Sequence, residues 1–403
     1  MKLGMVVPRY GPVVGGAEHL MRRLAEEMVA RRGWQVEVFT TTAHSAATWE
    51  PAEPGGTTTM AGVTVHRFDP ASGRDPRWAD VLAIADELPG GLHWHTQQEY
   101  FDYQGPRCPD VVAAAESSDC ELVAFAPYLF WPTVEGVPRL GERAVLHSCA
   151  HDETPLHIGI MREVFTAAGG LCFLSEAEAD LVDRLFPVRH LPRVILGGGL
   201  EPPPGRPAAH DLPAAREATG LADRPYAICV GRLENGKGAR LLDLCFRRYK
   251  QRRPGPLALV FVGPALERLE PHPDIFVTDT VGEDRKWALL RGAEVLINPS
   301  AMESFSFVVL EGWQAGLPVM VNALCGPTVE HCRNGRGGLT FADYPTFETG
   351  LDRLMADARL RAELAGSGLA YAQQRFDWER IVDRYAALCG AVLAHSGSLP
   401  SAR

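Results

Sequence analysis

Short apolar runs alternate with helical stretches along both halves of the sequence, and this alternation constrains the fold more than any other feature. In the first half, LGMVVP is followed by a helical stretch at residues 17–32 and then by QVEVFTT. In the second half, YAICV, a helical stretch that begins at Ala239, and LALVFVG repeat the same order. Apolar runs that alternate with helices predict parallel sheets covered on both faces. A chain of 403 residues, 46% of them hydrophobic, can bury two such cores.

The pattern breaks near residue 200. Residues 196–225 are rich in glycine and proline and lack apolar periodicity, so they predict a linker or a long surface loop. We therefore expect a first domain at residues 1–198 and a second at 199–375. The segment 376–403 should form a final helix, which could pack back on the first domain.

Composition excludes several classes of protein. A formal net charge of −10 argues against a nucleic-acid-binding protein, which would carry a basic surface. Nine cysteines without a C-x-x-C pair, no apolar run of membrane-spanning length and no signal-peptide pattern together predict a cytoplasmic protein. Arginine pairs at 22–23 and 31–32 could meet an anionic membrane, but a solvated helix face is the preferred interpretation in an acidic chain.

Two glycine-containing loops follow strand-like runs and are candidates for phosphate binding. Gly15 and Gly16 stand just before the first helix, where backbone N–H groups can approach an anion. The loop GRLENGKG holds Arg232 and Lys237, and two cations in a flexible turn suit a diphosphate. The alternatives are a tight turn in the first loop and two solvated charges in the second.

Two glutamates bracket an apolar stretch in SAMESFSFVVLEGWQAGLPV. We expect Ser304 to cap a helix over residues 305–315 that is closed by Gly316, with Glu303 at its start and Glu311 two turns further on. A nucleotide sugar has a phosphate that suits the helix tip and hydroxyl groups that carboxylates accept. The alternative is a loop charge and a solvent-facing helix residue.

The motifs GGAE, GRLENGKG and PSAMESFSFVVLEGWQAGLPV, in this order, resemble the retaining GT-B glycosyltransferases of family four, the glycosyl transferases of group 1. The resemblance covers nearly the whole chain and is more specific in the second half. It implies an α/β fold with two Rossmann-like, doubly wound domains that face a central cleft. It also implies a retaining hexosyltransferase with a nucleotide-sugar donor. A UDP-sugar is slightly favoured over GDP-, ADP- or dTDP-sugars, and the acceptor is a small molecule or a glycan.

The resemblance also implies roles for individual residues. Gly15 and Gly16 would contact the donor diphosphate, and Arg232 and Lys237 would neutralise it. Glu303 would lie beside the donor sugar.

Within the same motif, Glu311 would bind the ribose, and residues 304–306 would offer backbone N–H groups to the donor. This chain has Ser304, Phe305 and Ser306 where the family often has Gly-Phe-Gly. The serines keep the N–H groups but narrow the space for the sugar.

A histidine loop in the first half, AVLHSCAHDETP, carries the remaining candidate catalytic residue. Relatives often have His-Asp-Glu here, so His151 would face the donor sugar. His147 and His151 are four apart, as a metal-binding pair on a helix would be, but the preceding strand and Pro155 favour a loop. The chain has no Asp-x-Asp motif. We therefore expect no cofactor and a metal-independent reaction.

Two other functions stay open at this stage. A non-catalytic nucleotide-sugar sensor with the same fold is suggested by serine in place of glycine at position 306. A nicotinamide oxidoreductase is less favoured, because the chain lacks G-x-G-x-x-G. Aromatic stretches at residues 92–103 and 127–133 could contact the acceptor, although core packing is the preferred interpretation.

Overall fold

The computed structural model describes residues 1–11, 15–203, 205 and 211–397. The chain divides into two compact units. The first consists of Met1–Gly199 together with Trp378–Arg403, and the second of Leu200–Asp377.

Fourteen β-strands lie within the described ranges. They are β1 (Lys2–Val6), β2 (Gln35–Thr41), β3 (Gly56–Met60), β4 (Val63–Phe68), β5 (Leu122–Phe125), β6 (Ala144–His147), β7 (Gly170–Phe173), β8 (Arg193–Ile195), β9 (Tyr226–Val230), β10 (Ala258–Val262), β11 (Ile275–Val277), β12 (Val295–Asn298), β13 (Val319–Asn322) and β14 (Gly338–Phe341).

Fifteen α-helices lie within the same part of the chain. They are α1 (Gly16–Arg32), α2 (Trp78–Glu87), α3 (Trp94–Gln104), α4 (Pro109–Ser117), α5 (Trp131–Leu140), α6 (Met161–Ala167), α7 (Glu176–Leu185), α8 (Asp211–Thr219), α9 (Ala239–Arg252), α10 (Glu283–Arg291), α11 (Phe307–Gln314), α12 (Gly326–Gly335), α13 (Tyr344–Ala356), α14 (Ala358–Arg375) and α15 (Trp378–Ser396). Short 3₁₀ turns occur at Pro89–Gly91, Gly141–Arg143, Thr154–His157 and Asn235–Lys237.

The first unit is built on an eight-stranded sheet with the order β3-β4-β2-β1-β5-β6-β7-β8. Every pairing is parallel except that of β3 with β4. The central strands β5, β6 and β7 are buried along their whole length, which is why they appear in the sequence as continuous apolar runs. The strand order reverses between β1 and β5, so the loops after these strands mark the ligand-binding edge expected of such a sheet.

The second unit is built on a six-stranded parallel sheet with the order β11-β10-β9-β12-β13-β14. From β9 the chain proceeds to one side of the sheet, and from β12 it proceeds to the other. The reversal point therefore lies between β9 and β12. In open parallel sheets, ligands bind beyond the carboxyl ends of the strands at such a point. The α/β class with parallel sheets is as predicted.

The glycine- and proline-rich segment is only partly a loop. Residues 204 and 206–210 lie outside the described residues, but Asp211–Thr219 forms α8, which the sequence did not predict. Leu212 of this helix packs against Gly292, where an added Cβ would lie 2.5 Å from the leucine Cδ1. The sequence gives little sign of this helix, because Pro213 lies in its first turn and its apolar face is short. Its contacts with α10 stabilise it.

The last helix, α15, belongs to the first unit. The hydroxyl of Tyr385 lies 3.0 Å from Nε2 of His147, at the end of β6, and both side chains are buried. Burial lowers the pKa of His147 to about 3, so its ring is neutral at physiological pH. His147 thus joins α15 to the sheet and does not pair with His151 as the metal-site alternative requires.

The arginines of α1 are paired with carboxylates and do not form an uncompensated basic face. The pairs are Arg22 with Glu26, Arg23 with Glu26 and Glu27, Arg31 with Glu27 and Glu379, and Arg32 with Asp383. Across residues 1–11, 15–203, 205 and 211–397, no helix combines the length and the apolar character needed to cross a membrane.

Candidate functional site

The loops that follow β9 and β12 touch at the reversal point of the second sheet. Gly238 directly precedes α9 and has φ +72°, a conformation that favours glycine. A Cβ at this position would lie 2.5 Å from the carbonyl oxygen of Pro299, which follows β12. Glycine is therefore needed both for the turn and for the close approach of the two loops.

This approach brings two of the predicted catalytic residues together. Nζ of Lys237 lies 3.0 Å from Oε2 of Glu303, and both side chains are partly buried. The sequence predicts a role for each residue but does not predict the pair, because they are far apart in the chain. A diphosphate that binds Lys237 would therefore lie beside the Glu303 carboxylate.

Arg232, the second predicted cation of the β9 loop, is more accessible. Its side chain is 54% exposed, and its Nη2 lies 2.9 Å from Oε1 of Glu234 in the same loop. Because this pair is local and exposed, it adds little to stability, and the guanidinium can change partners at low cost.

Residues 304–306 form an irregular turn before α11, and the sequence prediction for this turn was wrong in detail. The helix begins at Phe307, and Ser306 rather than Ser304 is the residue before it. Ser306 has φ +73°, in the left-handed region where glycine is preferred. Its Oγ is buried and accepts a hydrogen bond of 2.8 Å from Nδ2 of Asn298. Asn298 therefore holds the serine hydroxyl of the motif.

Phe305 has a structural role for its side chain. It is 1% exposed and packs edge-on against Phe307, His331 and Phe376. Burial lowers the pKa of His331 to about 4, although the Phe305 carbonyl opposes this shift. The neutral ring lies with Nε2 2.9 Å from that carbonyl oxygen, so Nε2–H is the donor. Only backbone groups of Phe305 are available for the predicted donor contact.

Glu311 is the fifth residue of α11, just over one turn from the start of the helix and not two turns as predicted. Its Oε1 lies 3.0 Å from Nζ of Lys286, which also lies 2.9 Å from Oε2 of Glu283. Burial raises the pKa of Glu311, and the Lys286 ammonium opposes this shift. Burial acts to lower the pKa of Lys286, but the carboxylates of Glu311 and Glu283 outweigh it and leave this pKa raised.

The two glutamates of the motif thus contact different lysines. Sequence reasoning missed Lys286, because in EDRKWALLRG it reads as one charge among several on a solvated helix. Its contact with Glu311 joins side chains of two different helices, α10 and α11, and no local pattern encodes it.

In the first unit, the predicted catalytic His151 lies in the loop after β6. Its Nδ1 is 2.9 Å from Oε1 of Glu153, and the Tyr128 hydroxyl donates a hydrogen bond of 2.9 Å to the same oxygen. The motif His-Asp-Glu therefore places a carboxylate beside the histidine ring, two residues later in the chain.

A buried carboxylate lies beneath this loop. Glu178 is 1% exposed and accepts hydrogen bonds from the hydroxyl of Ser148, the N–H of Ala150 at 2.7 Å and the N–H of Leu174 at 2.6 Å. Ser175 caps α7 by accepting from the N–H of Glu178, but the Glu178 side chain accepts from Leu174, one residue before the cap. Burial raises its pKa to about 7, against the effect of these three donors.

We expect Glu178 to make stability depend on pH. A folded-state pKa of about 7, above the ordinary value of 4.5, gives a stabilising contribution that is complete below pH 4.5. This contribution is lost as the pH rises through 7, and it amounts to at most about 3 kcal/mol of unfolding free energy. The thermal midpoint of the wild type minus that of Glu178→Gln should therefore be larger at pH 5 than at pH 8. Glu176→Gln, at an exposed position on the same helix, serves as the control, and equal differences at both pH values would contradict the assignment.

The predicted glycine loop of the first unit is described only at its end, since residues 12–14 lie outside the described residues. Gly15 precedes α1, and Gly16 is its first residue. A Cβ on Gly15 would clash with the carboxylate of Glu18, which also accepts a hydrogen bond of 2.9 Å from Nε of Arg9. The first turn of α1 therefore already has a carboxylate beside its N–H groups.

In the part of the chain that the structure describes, no group of three or more histidine, cysteine, aspartate or glutamate side chains could hold a metal ion. The aromatic stretches mainly serve packing: Tyr100, Phe101 and Tyr128 are buried, whereas Trp94 is exposed.

Comparison with known proteins relates the chain to glycosyltransferases. Residues 224–357 match the family described as Glycosyl transferases group 1. A D-inositol 3-phosphate glycosyltransferase of Salinispora arenicola is 30% identical over 253 residues, which cover 58% of this chain and 54% of that protein. The chain thus matches about half the length of that relative. An uncharacterized glycosyltransferase of Methanocaldococcus jannaschii is 26% identical, with 94% of this chain and 96% of that protein covered.

Solved structures give the same result for the fold. Sucrose-phosphate synthase from Thermosynechococcus elongatus has a TM-score of 0.70 and 17% identity, covering 98% of this chain and 99% of that one. Anabaena HepE in complex with UDP-glucose has a TM-score of 0.68 and 17% identity, covering 97% and 99%. The chain has the GT-B fold and is related to the group 1 glycosyltransferases.

Proposed function

We propose that this protein is a retaining glycosyltransferase that moves a hexose from a nucleotide-diphosphate sugar to an acceptor hydroxyl without a divalent metal. The observation that carries the proposal is the contact between Lys237 and Glu303 at the reversal point of the second sheet. The family match over residues 224–357, which include Lys237 and Glu303, supports it.

In the proposed reaction, the bond between the anomeric carbon and the diphosphate breaks, and a bond from the same carbon to the acceptor oxygen forms. The electron pair of the broken bond leaves with the diphosphate, whose oxygen takes the proton that the acceptor hydroxyl loses. Lys237 exchanges its contact with Glu303 for the diphosphate, and Arg232 exchanges Glu234 for it. Both then stabilise charge that develops in the transition state.

The remaining residues are proposed to position the donor. Glu303 accepts hydrogen bonds from the transferred sugar, Glu311 accepts them from the ribose, and backbone N–H groups of 304–306 approach the phosphates. His151, oriented by Glu153, is proposed to contact the sugar. The backbone of Gly15 and Gly16 is proposed to approach the donor. The Glu18 carboxylate competes with the donor for this position.

UDP is the favoured nucleotide, because HepE was solved with UDP and with UDP-glucose. The acceptor is proposed to be a small molecule or a glycan. A thermal-shift panel of UDP, GDP, ADP and dTDP tests the donor, since a ligand that binds the native state raises its midpoint. One diphosphate should raise the midpoint clearly more than the others, and no shift with any of them would contradict the proposal.

We expect sugar transfer to persist in excess EDTA, because Arg232, Lys237 and the N–H groups before α11 can supply the charge that Mg²⁺ supplies elsewhere. The measurement is the transfer rate with and without EDTA, using the donor found in the panel. Loss of activity that added Mg²⁺ or Mn²⁺ restores would overturn metal independence and make His151 and Asp152 candidate ligands.

The sensor alternative rested on Ser306. A sensor would bind the donor without releasing its diphosphate, so slow hydrolysis of the donor without an acceptor would argue against it. No observation favours an oxidoreductase, and the family match is to glycosyl transferases. A cytoplasmic location is proposed from the nine cysteines, which are all free thiols.

A further inference from the structure

We propose that Lys286 is a positioning residue for Glu311, and that the two together make the protein select ribonucleotides over nucleotides without ribose hydroxyls. The inference rests on the proposed function, which assigns Glu311 to the ribose. It adds a residue on a different helix that no motif contains.

Lys286 and Glu311 lie on different helices, and their charged groups meet. Lys286 lies in the first turns of α10, which follows β11, whereas Glu311 lies on α11, which follows β12. The lysine is 15% exposed on its side chain, so its ammonium is held at the Glu311 carboxylate and is not free in solvent. Glu283 holds the same ammonium from the solvent side, with a side chain that is 71% exposed.

The contact is specific to one oxygen of the carboxylate. Lys286 is bound to Oε1 of Glu311, and within the described residues Oε2 has no hydrogen-bonding partner. An ionised carboxylate only accepts hydrogen bonds, so the second oxygen suits a ligand hydroxyl. The 2′ and 3′ hydroxyls of a ribose are such donors, and a dideoxyribose has neither.

The ammonium also controls the charge of Glu311. Burial favours the protonated form of this carboxyl and raises its pKa, and Lys286 is the neighbour that opposes the shift. Without the ammonium, the carboxyl would be protonated more often and would present a donor where the ribose needs an acceptor. Lys286 thereby fixes both the orientation and the ionisation of Glu311.

The experiment compares the affinity for UDP with that for 2′,3′-dideoxyuridine diphosphate by isothermal titration calorimetry. The wild type should prefer UDP by about tenfold or more, which is the scale of one hydrogen bond to a charged group. Lys286→Met should reduce this preference to near onefold, and Lys286→Arg should restore most of it. Glu283→Gln is the matched control, because it removes the second partner of Lys286 and keeps the contact with Glu311.

Each outcome is informative. The thermal midpoint of every variant is measured to establish that it is folded. If Lys286→Met does not fold, Lys286→Arg keeps the test valid. An unchanged preference in Lys286→Met would overturn the role of Lys286 while leaving the proposed function intact. A wild type that binds both ligands equally would overturn the assignment of Glu311 to the ribose. A wild type that binds none of UDP, GDP, ADP and dTDP would overturn the proposed function as well.

Discussion

Lys237→Ala and Arg232→Ala should each lower the rate of sugar transfer by about 100-fold or more, the scale expected for removing one group that stabilises a transition-state charge. Lys237 lies 3.0 Å from the Glu303 carboxylate and at the reversal point of the sheet, where the proposed function puts the leaving diphosphate. Arg232 is 54% exposed, so its removal should cost little stability. The measurement is kcat at saturating donor, with the thermal midpoint as a check on folding.

Arg248→Ala provides the matched control, because this arginine is exposed on α9, further along the helix that follows the loop. It removes the same charge from the same unit without touching the proposed site. Wild-type rates in both loop variants would contradict the assignment of the two cations. Equal losses in the Arg248 variant would attribute the effect to overall charge and not to the loop.

The two glutamates should differ in their kinetic effects. Glu303→Gln should lower kcat, because its carboxylate contacts Lys237, the proposed partner of the leaving diphosphate. Glu311→Gln should chiefly weaken donor binding, because a ribose contact is the same in the ground state and the transition state. Since Glu303 and Lys237 touch, their effects should not add in the double variant, whereas those of Glu311 and Lys237 should add.

Steady-state kinetics of the single and double variants test this division. Additive losses for Glu303 with Lys237 would show that their contact has no part in catalysis. A Glu311 variant with normal donor affinity and a reduced kcat would reverse the two roles.

The sequence predicted those features that depend on local pattern. QVEVFTT coincides with β2, and the helical stretch predicted at residues 17–32 coincides with α1 to within one residue. The two-sheet α/β organisation followed from buried strands that alternate with helices. These features depend on residues close in the chain, so they can be read without the structure.

Features that depend on tertiary contacts were missed. The helix α8 is stabilised by packing against α10, and its own sequence gives little sign of it. Ser306, in a left-handed conformation and with its hydroxyl bound by Asn298, directly precedes α11, so the expected cap at Ser304 was wrong. Lys286 reaches Glu311 from another helix, and the buried Glu178 carboxylate accepts a hydrogen bond from the N–H of Ala150, just before His151. Each of these contacts joins residues whose spacing in the sequence carries no signal.

The most direct test of the proposed activity is the release of nucleoside diphosphate from UDP-, GDP-, ADP- and dTDP-glucose, with EDTA present. The wild type should release diphosphate from one of these donors. The Arg232→Ala/Lys237→Ala double variant, shown to be folded, should release it at a rate lower by about 100-fold or more. Release by both proteins at the same rate, or by neither with any donor although acceptors are supplied, would contradict a glycosyltransferase that uses the β9 loop for its leaving group.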